Sequence, residues 1–374
     1  IGDYTFQEAY NNYRQIAEET SSKVDGYILE TFSDLYELKA AILAFKENTS
    51  LPVFATMTFD NTYHTLSGST PEIVALTLSS LGVNALGINC SESPDIVLEV
   101  VRRMKPFATA PIIAQANKGL PQIVNGKVKY NYDDMMFAEW CSKLIEAGAN
   151  IIGGCCGTTP DHIRALAEAA SGVLPVPVVK KNITRVASYT HAVTFGEDPI
   201  LIGERINPTG KKKFKEALRA HDMDYIYREG LAQAECGVHV LDVNVGLPEI
   251  DEAEMLCEAV CGLQSILDLP LQIDSTDTVA MEASLRRYNG KAMINSVNGK
   301  RESMSAVFPL VKKYGGCIIA VTLDENGIPK TAEERIEIAK KIIERAAKAK
   351  ERNVVVIVDE YDAALLDNSD SVEV

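Results

Sequence analysis

Cys155 and Cys156 stand side by side in the stretch Gly153-Gly154-Cys155-Cys156-Gly157-Thr158-Thr159-Pro160. Neighbouring residues in extended backbone point to opposite sides, so two adjacent side chains reach one ion only through irregular backbone, which flanking glycines permit. Cys90 closes an earlier apolar run, two strand–helix units upstream, and a closed barrel would bring it close to the pair. Three thiolates form a tetrahedral zinc site with one open position, the pattern of catalytic rather than structural zinc. A thiol entering that position loses its proton and becomes a nucleophile at neutral pH. The remaining cysteines, Cys141, Cys236, Cys257, Cys261 and Cys317, read as small buried residues. His162 reads as a surface residue in the first turn of a helix, not as a fourth ligand.

A second constellation lies downstream. Glu204, Asp242, Asn244, Asp274, Asn295 and Asp359 each follow a short apolar run. Carboxylates and amides converging on one mouth suit a flat heterocycle with amidine-like N–H donors, such as a pterin, because one Asp accepts two parallel hydrogen bonds. The plainer reading is that strand-end Asp and Asn cap the helices that follow. Lys211-Lys212-Lys213 reads as a solvated helix start in preference to a site for an anionic tail.

The elements that position these residues alternate. Apolar runs at residues 26–29, 52–55, 85–88, 111–114 and 150–152 are separated by helical patterns such as 93–104 and 133–147. That alternation is the signature of βαβ units and a parallel sheet. Residues 171–198 show no clear period and read as a linker between a first domain, residues 1–170, and a second, residues 199–374. The alternation then resumes at 200–202, 238–241, 271–273, 292–294, 317–320 and 354–357. In parallel sheets chemistry gathers at the carboxyl ends of the strands, and the polar clusters fall there in both halves.

Composition narrows the class. With 37 Lys+Arg against 52 Asp+Glu the net charge of the 374 residues is −15, which argues against a nucleic-acid partner, since phosphate binding needs clustered cations. No window approaches the twenty apolar residues of a membrane span. The start, Ile1-Gly2-Asp3, shows no secretory signal. Eight cysteines are too sparse for a disulfide scaffold, so reduced thiols in the cytoplasm are expected.

The motif Gly153-Gly154-Cys155-Cys156-Gly157-Thr158-Thr159-Pro160-Asp161-His162-Ile163, with Gly87-Ile88-Asn89-Cys90-Ser91, resembles the homocysteine-binding barrel of the homocysteine S-methyltransferases. The resemblance implies that Cys90, Cys155 and Cys156 hold Zn2+ and that homocysteine sulfur takes the fourth place. It also implies that Glu30 in Glu-Thr-Phe-Ser-Asp helps hold the homocysteine ammonium and that Asn117 lies at the pocket. Gly203-Glu204-Arg205-Ile206-Asn207-Pro208-Thr209-Gly210, Leu241-Asp242-Val243-Asn244-Val245-Gly246 and Asp274-Ser275-Thr276 resemble the pterin-binding domain of methyltetrahydrofolate-dependent methyltransferases. In tandem the two resemble the N-terminal half of the cobalamin-dependent methionine synthases.

That resemblance implies methyl transfer from 5-methyltetrahydrofolate, by way of cobalamin on a separate domain or protein, to zinc-activated homocysteine, giving methionine and tetrahydrofolate. The folate is then held through Asp274, Asn295 and Asp359 with Glu204 nearby, Asn295 belonging to the catalytic set. The implied fold class is α/β, two tandem (β/α)8 TIM-type barrels. A barrel of this kind takes about 250 residues, so 374 residues leave both incomplete, with about five and six βα units. The family's opening strands are expected before Ile1, and its last strands, with the N5-contacting Asn, beyond Val374. The alternatives are a homocysteine S-methyltransferase that uses another methyl donor, and a non-catalytic zinc- or folate-binding fragment.

Overall fold

Apolar runs of four to seven residues, flanked by capping residues and turns, give parallel strands joined by helices. A computed structural model describes residues 4–91, 93–125, 127–179, 181, 183–196, 198–348 and 354–355. The described chain divides into two compact units, residues 1–183 with 187–192, and residues 184–186 with 193–374.

The first unit opens with helix α1 (Phe6–Thr20), closed at its start by a Thr5–Glu8 capping box. Strands β1 (Tyr27–Phe32), β2 (Val53–Met57), β3 (Ala85–Asn89) and β4 (Ile112–Ala116) follow. Between them run α2 (Leu35–Asn48), α3 (Pro71–Ser80) and α4 (Pro94–Met104). A small antiparallel pair, β5 (Gln122–Val124) and β6 (Lys127–Lys129), is inserted before α5 (Asp134–Ala147). Strand β7 (Ala149–Gly154) and helix α6 (Pro160–Ala170) follow it. The main sheet is all-parallel in the order β1-β2-β3-β4-β7.

The central strands of this sheet are buried. Ala55, Met57, Leu86, Ile88, Ile112 and Ala114 pack with helix residues such as Leu38, Ile42, Val74, Leu78, Val97 and Val101, which is why its strands read as continuous apolar runs. At Gly87 a Cβ would sit 1.9 Å from the Ile113 carbonyl oxygen, so only glycine lets β3 lie this close to β4.

The residues read as a linker contain two short strands, β8 (Thr184–Ala187) and β9 (Ala192–Phe195), paired with each other. The second unit then runs β10 (Ile202–Ile206), α7 (Lys212–Arg219), α8 (Met223–Glu235), β11 (Val240–Val243), α9 (Glu252–Ile266) and β12 (Leu271–Asp274). It continues with α10 (Thr278–Arg287), β13 (Ala292–Asn298), α11 (Arg301–Tyr314), β14 (Gly316–Val321), α12 (Ala332–Lys348) and β15 (Val354–Val355). Its sheet is parallel, in the order β10-β11-β12-β13-β14-β15. Sequential strand order in both sheets, with a helix after almost every strand, is the α/β arrangement expected from the alternation.

No helix among the described residues is long and apolar enough to cross a membrane. Asp359 lies outside the described residues.

Candidate functional site

The first site forms where β3, β4 and β7 end. Register pairs Asn89 with Gln115 and Ala116 with Gly154, which brings the residues after β3 and β7 to the same end of the sheet. The sulfurs of Cys90, Cys155 and Cys156 all lie within 4.8 Å of one another, with Cys90 and Cys156 Sγ 3.5 Å apart. Thiolates each about 2.3 Å from one tetrahedral zinc lie about 3.8 Å from each other, so this donor set fits a zinc ion.

Local bonding holds the sulfurs there. Cys90 N donates to the Gln115 carbonyl and Cys155 N to that of Ala116. Cys156 N donates to Asn117 Oδ1 at 3.0 Å, and Thr158 Oγ1 closes the turn on the Cys155 carbonyl at 2.8 Å. A Cβ at Gly154 would stand 2.5 Å from that hydroxyl. Cys90 itself has φ 53° and Thr31 φ 66°, left-handed conformations that cost a non-glycine residue about 1–3 kcal/mol and persist only where the surroundings impose them.

Asn89 imposes them. Its fully buried amide accepts from Thr31 N at 2.9 Å and Thr56 Oγ1 at 2.8 Å, and donates to Thr31 Oγ1 at 2.7 Å and Cys155 Sγ at 3.8 Å. Burial, followed by the neighbouring Cys156 and Cys155, pushes the Cys90 thiol up to about 12.

Glu30 is exposed in β1, next to the Thr31 that Asn89 anchors. Asn117 is half-buried and serves the Cys156 backbone. His162 is not on the surface as expected. It is 3% exposed, bonded through Nδ1 to Thr159 Oγ1 at 2.8 Å and packed edge-on against Phe137. Cys141 and Cys317 are buried and Cys257 and Cys261 partly so, but Cys236 is exposed at the end of α8, against the expectation that it is buried.

The second site lies at the same end of the other sheet. Strand-end carboxylates here do not cap helices. Asp251 and Asp277 cap α9 and α10, while Lys211 and Lys300 stand at the starts of α7 and α11. Asp242 is the register partner of Gln272, and Asp274 that of Asn295. With side chains alternating along each strand, Asp242, Asn244, Gln272, Asp274 and Asn295 share one face.

Asn244 Nδ2 donates to Asp274 Oδ2 at 2.9 Å. Exposed Glu204 accepts from Asn207 Nδ2 at 3.1 Å. Lys211 Nζ reaches the Glu204 carbonyl at 2.8 Å, while Lys212 and Lys213 are exposed. A cleft of about 630 Å³ opens beside Asn244, Asp274, Glu252 and Ser275. Asp242 does not line it; it is 1% exposed and lies beneath. Asn89, Asn207, Gln272 and Glu252 belong to the two sites without having been singled out from the sequence. For Asn89 and Asn207 their position at or just after a strand end was the available signal; Gln272 inside β12 and Glu252 at the start of α9 carried none.

Burial, then repulsion from Asp274, drives the Asp242 carboxyl from 3.8 up to about 8, against partial relief from Gln272 and with a further push from Glu204. Because the folded value is raised, its contribution to stability is complete below about pH 4 and is withdrawn as pH rises toward 8. The slope is at most about 1.4 kcal/mol per pH unit. Denaturant unfolding of the second unit at the two ends of that window should show the loss in wild type and a smaller one in Asp242→Asn. Equal losses would contradict the assignment.

The chain matches the homocysteine S-methyltransferase family over residues 1–170 and the pterin binding enzyme family over residues 203–367. It is 32% identical to the methionine synthase of Mycobacterium tuberculosis over 332 residues and 33% identical to that of Mycobacterium leprae over 339. Those alignments cover 85% of this chain and 28% of each relative, so the chain spans little more than a quarter of their length.

Among solved structures, the apo homocysteine methyltransferase MmuM of Escherichia coli aligns with TM-score 0.37 and 22% identity, over 45% of this chain and 58% of that one. A dihydropteroate synthase of Xanthomonas albilineans, in complex with indole-2-carboxylic acid and 6-chloroguanine, aligns with TM-score 0.34 and 22% identity, over 48% and 66%. By its family matches the chain resembles a homocysteine S-methyltransferase domain over residues 1–170 and a pterin binding enzyme domain over residues 203–367.

Proposed function

We propose that this chain supplies the two substrate sites of a methionine synthase-type methyltransferase, which passes the methyl group of 5-methyltetrahydrofolate to homocysteine. The observation that carries the reading is the convergence of three cysteine sulfurs within 4.8 Å in a chain that also holds a pterin-binding domain. A zinc ion held by Cys90, Cys155 and Cys156 would lower the pKa of an incoming thiol and make it a nucleophile at neutral pH. Asn117 and Asn89 fix the sulfurs before any ion arrives, and the Glu30 carboxylate is free to meet the homocysteine ammonium.

In the second domain Asp274, oriented by Asn244, accepts the paired N–H donors of the pterin ring. Asn295, the register partner of Asp274, with Glu204 and Asp359, completes the set proposed from the sequence. Cobalamin, carried on another domain or protein, is the methyl carrier this reading requires. A reducing cytoplasmic setting suits eight cysteines of which none is in a disulfide.

The test is transfer of label from methyl-labelled 5-methyltetrahydrofolate to methionine, with zinc-loaded protein, homocysteine and added cobalamin under reducing conditions. Label is expected in methionine only when all components are present. Absence of label together with no binding of either substrate by calorimetry would overturn the reading. Binding of both without transfer would leave the sites standing and refute turnover by this chain.

A further inference from the structure

Two buried acceptor oxygens of one register pair in the second domain lack a hydrogen-bond partner among the described residues. Asp242 and Gln272 are register partners on β11 and β12, 1% and 5% exposed. Gln272 Nε2 donates to Asp242 Oδ1, which leaves Asp242 Oδ2 and Gln272 Oε1. Both are enclosed and both lack a hydrogen-bond partner among the described residues. Each orphaned acceptor carries a desolvation penalty, and two on one register pair call for a common explanation. A single proton on Asp242 Oδ2 supplies it, because a protonated carboxyl is a donor as well as an acceptor.

We propose that Asp242 and Gln272 form a closed acid–amide pair in which the Asp242 carboxyl is protonated at neutral pH and donates to Gln272 Oε1, leaving Asp274 as the ionised carboxylate that ligand meets. The charges facing Asp242 agree. Asp274 on β12 and Glu204 on β10 are both negative and favour the neutral acid, while the Gln272 and Asn295 amides, on β12 and β13, favour the anion.

Burial settles the contest toward the acid. Repulsion from the Asp274 carboxylate adds to that burial. Asp274 lies at the cleft, where Asn244 already donates to it. Asp242 is thus a positioning residue, and this role rests on the pterin-site reading given above.

Two measurements test the pair separately from that reading. Infrared difference spectra of the whole chain should show the carbonyl stretch of a protonated acid at pH 7, lost in Asp242→Asn and moved in frequency by Gln272→Met, which keeps the bulk and removes the amide. Calorimetric titration with 5-methyltetrahydrofolate should show affinity falling by up to about tenfold per pH unit above about pH 8 in wild type. In Asp242→Asn, whose amide reproduces both bonds of the acid, that pH dependence should vanish.

A wild-type spectrum without the acid band at pH 7, or a band that survives in Asp242→Asn, would overturn the pair. Should Asp242→Asn fail to fold, the Gln272→Met shift and the pH at which the wild-type band disappears decide the matter, with disappearance below about pH 6 overturning it. Failure of wild type to bind 5-methyltetrahydrofolate at any pH would instead refute the pterin site, and the infrared band would still decide the pair.

Discussion

Replacing Cys156 by alanine is expected to take the metal content of purified protein from about one zinc per chain to almost none. Zinc affinity should fall by roughly a thousandfold or more, since three-thiolate sites derive most of their binding free energy from the thiolates themselves. Homocysteine binding should disappear with the ion.

The geometry makes Cys156 the informative position. It is the most exposed of the three cysteines, so its loss leaves no buried cavity and its effect is not a folding defect. Asn117→Ala removes only the acceptor of the Cys156 backbone N–H and should cost about 10–100-fold in affinity, the usual range for groups that orient a ligand. Cys141→Ala, by contrast, alters a core thiol bonded to the Leu166 carbonyl and should leave metal content unchanged. Metal analysis by atomic emission after dialysis checks all three. Full zinc occupancy in Cys156→Ala would remove the thiolate site from consideration.

Asp274→Ala should weaken 5-methyltetrahydrofolate binding by roughly a hundredfold or more. Two hydrogen bonds to one charged acceptor are lost together, each of a kind that contributes about 1.5–3 kcal/mol. The change also strips Asn244 Nδ2 of its acceptor at 2.9 Å, so part of the loss comes from a disordered amide at the mouth. Calorimetry measures the affinity, and unchanged zinc content reports that the other domain is intact. Binding within threefold of wild type would show that the pterin ring is held elsewhere.

Much of the fold was legible because the central strands are buried on both faces and announce themselves as apolar runs. Their ends were less so. Asn89, Asp274 and Asn295 read as loop residues, yet each is still part of its strand. A polar side chain at a barrel-type mouth does not stop the backbone ladder, so composition misplaces the boundary by one or two residues.

The thiolate cluster was legible from glycine-bracketed cysteines. Its support was not, since Asn89 is a neutral amide whose four partners are spread over residues 31, 56 and 155. The burial of His162 needed knowledge of Phe137, and that of Asp242 the register of β11 on β12. The β5–β6 hairpin had a local sign that was passed over: Asn125, with φ 52°, is followed in sequence by glycine, the pair favoured in tight hairpin turns.

The four bonds of Asn89 have a thermodynamic corollary. One amide is shared by β1, β2 and the Cys155 sulfur, so the free energy that orders these strands and the free energy that holds an ion draw on the same contact. Linkage is reciprocal: a firmer sheet is a tighter metal site, and an occupied site is a firmer sheet. Sheet stability and metal affinity in this domain are accordingly one coupling read from two sides.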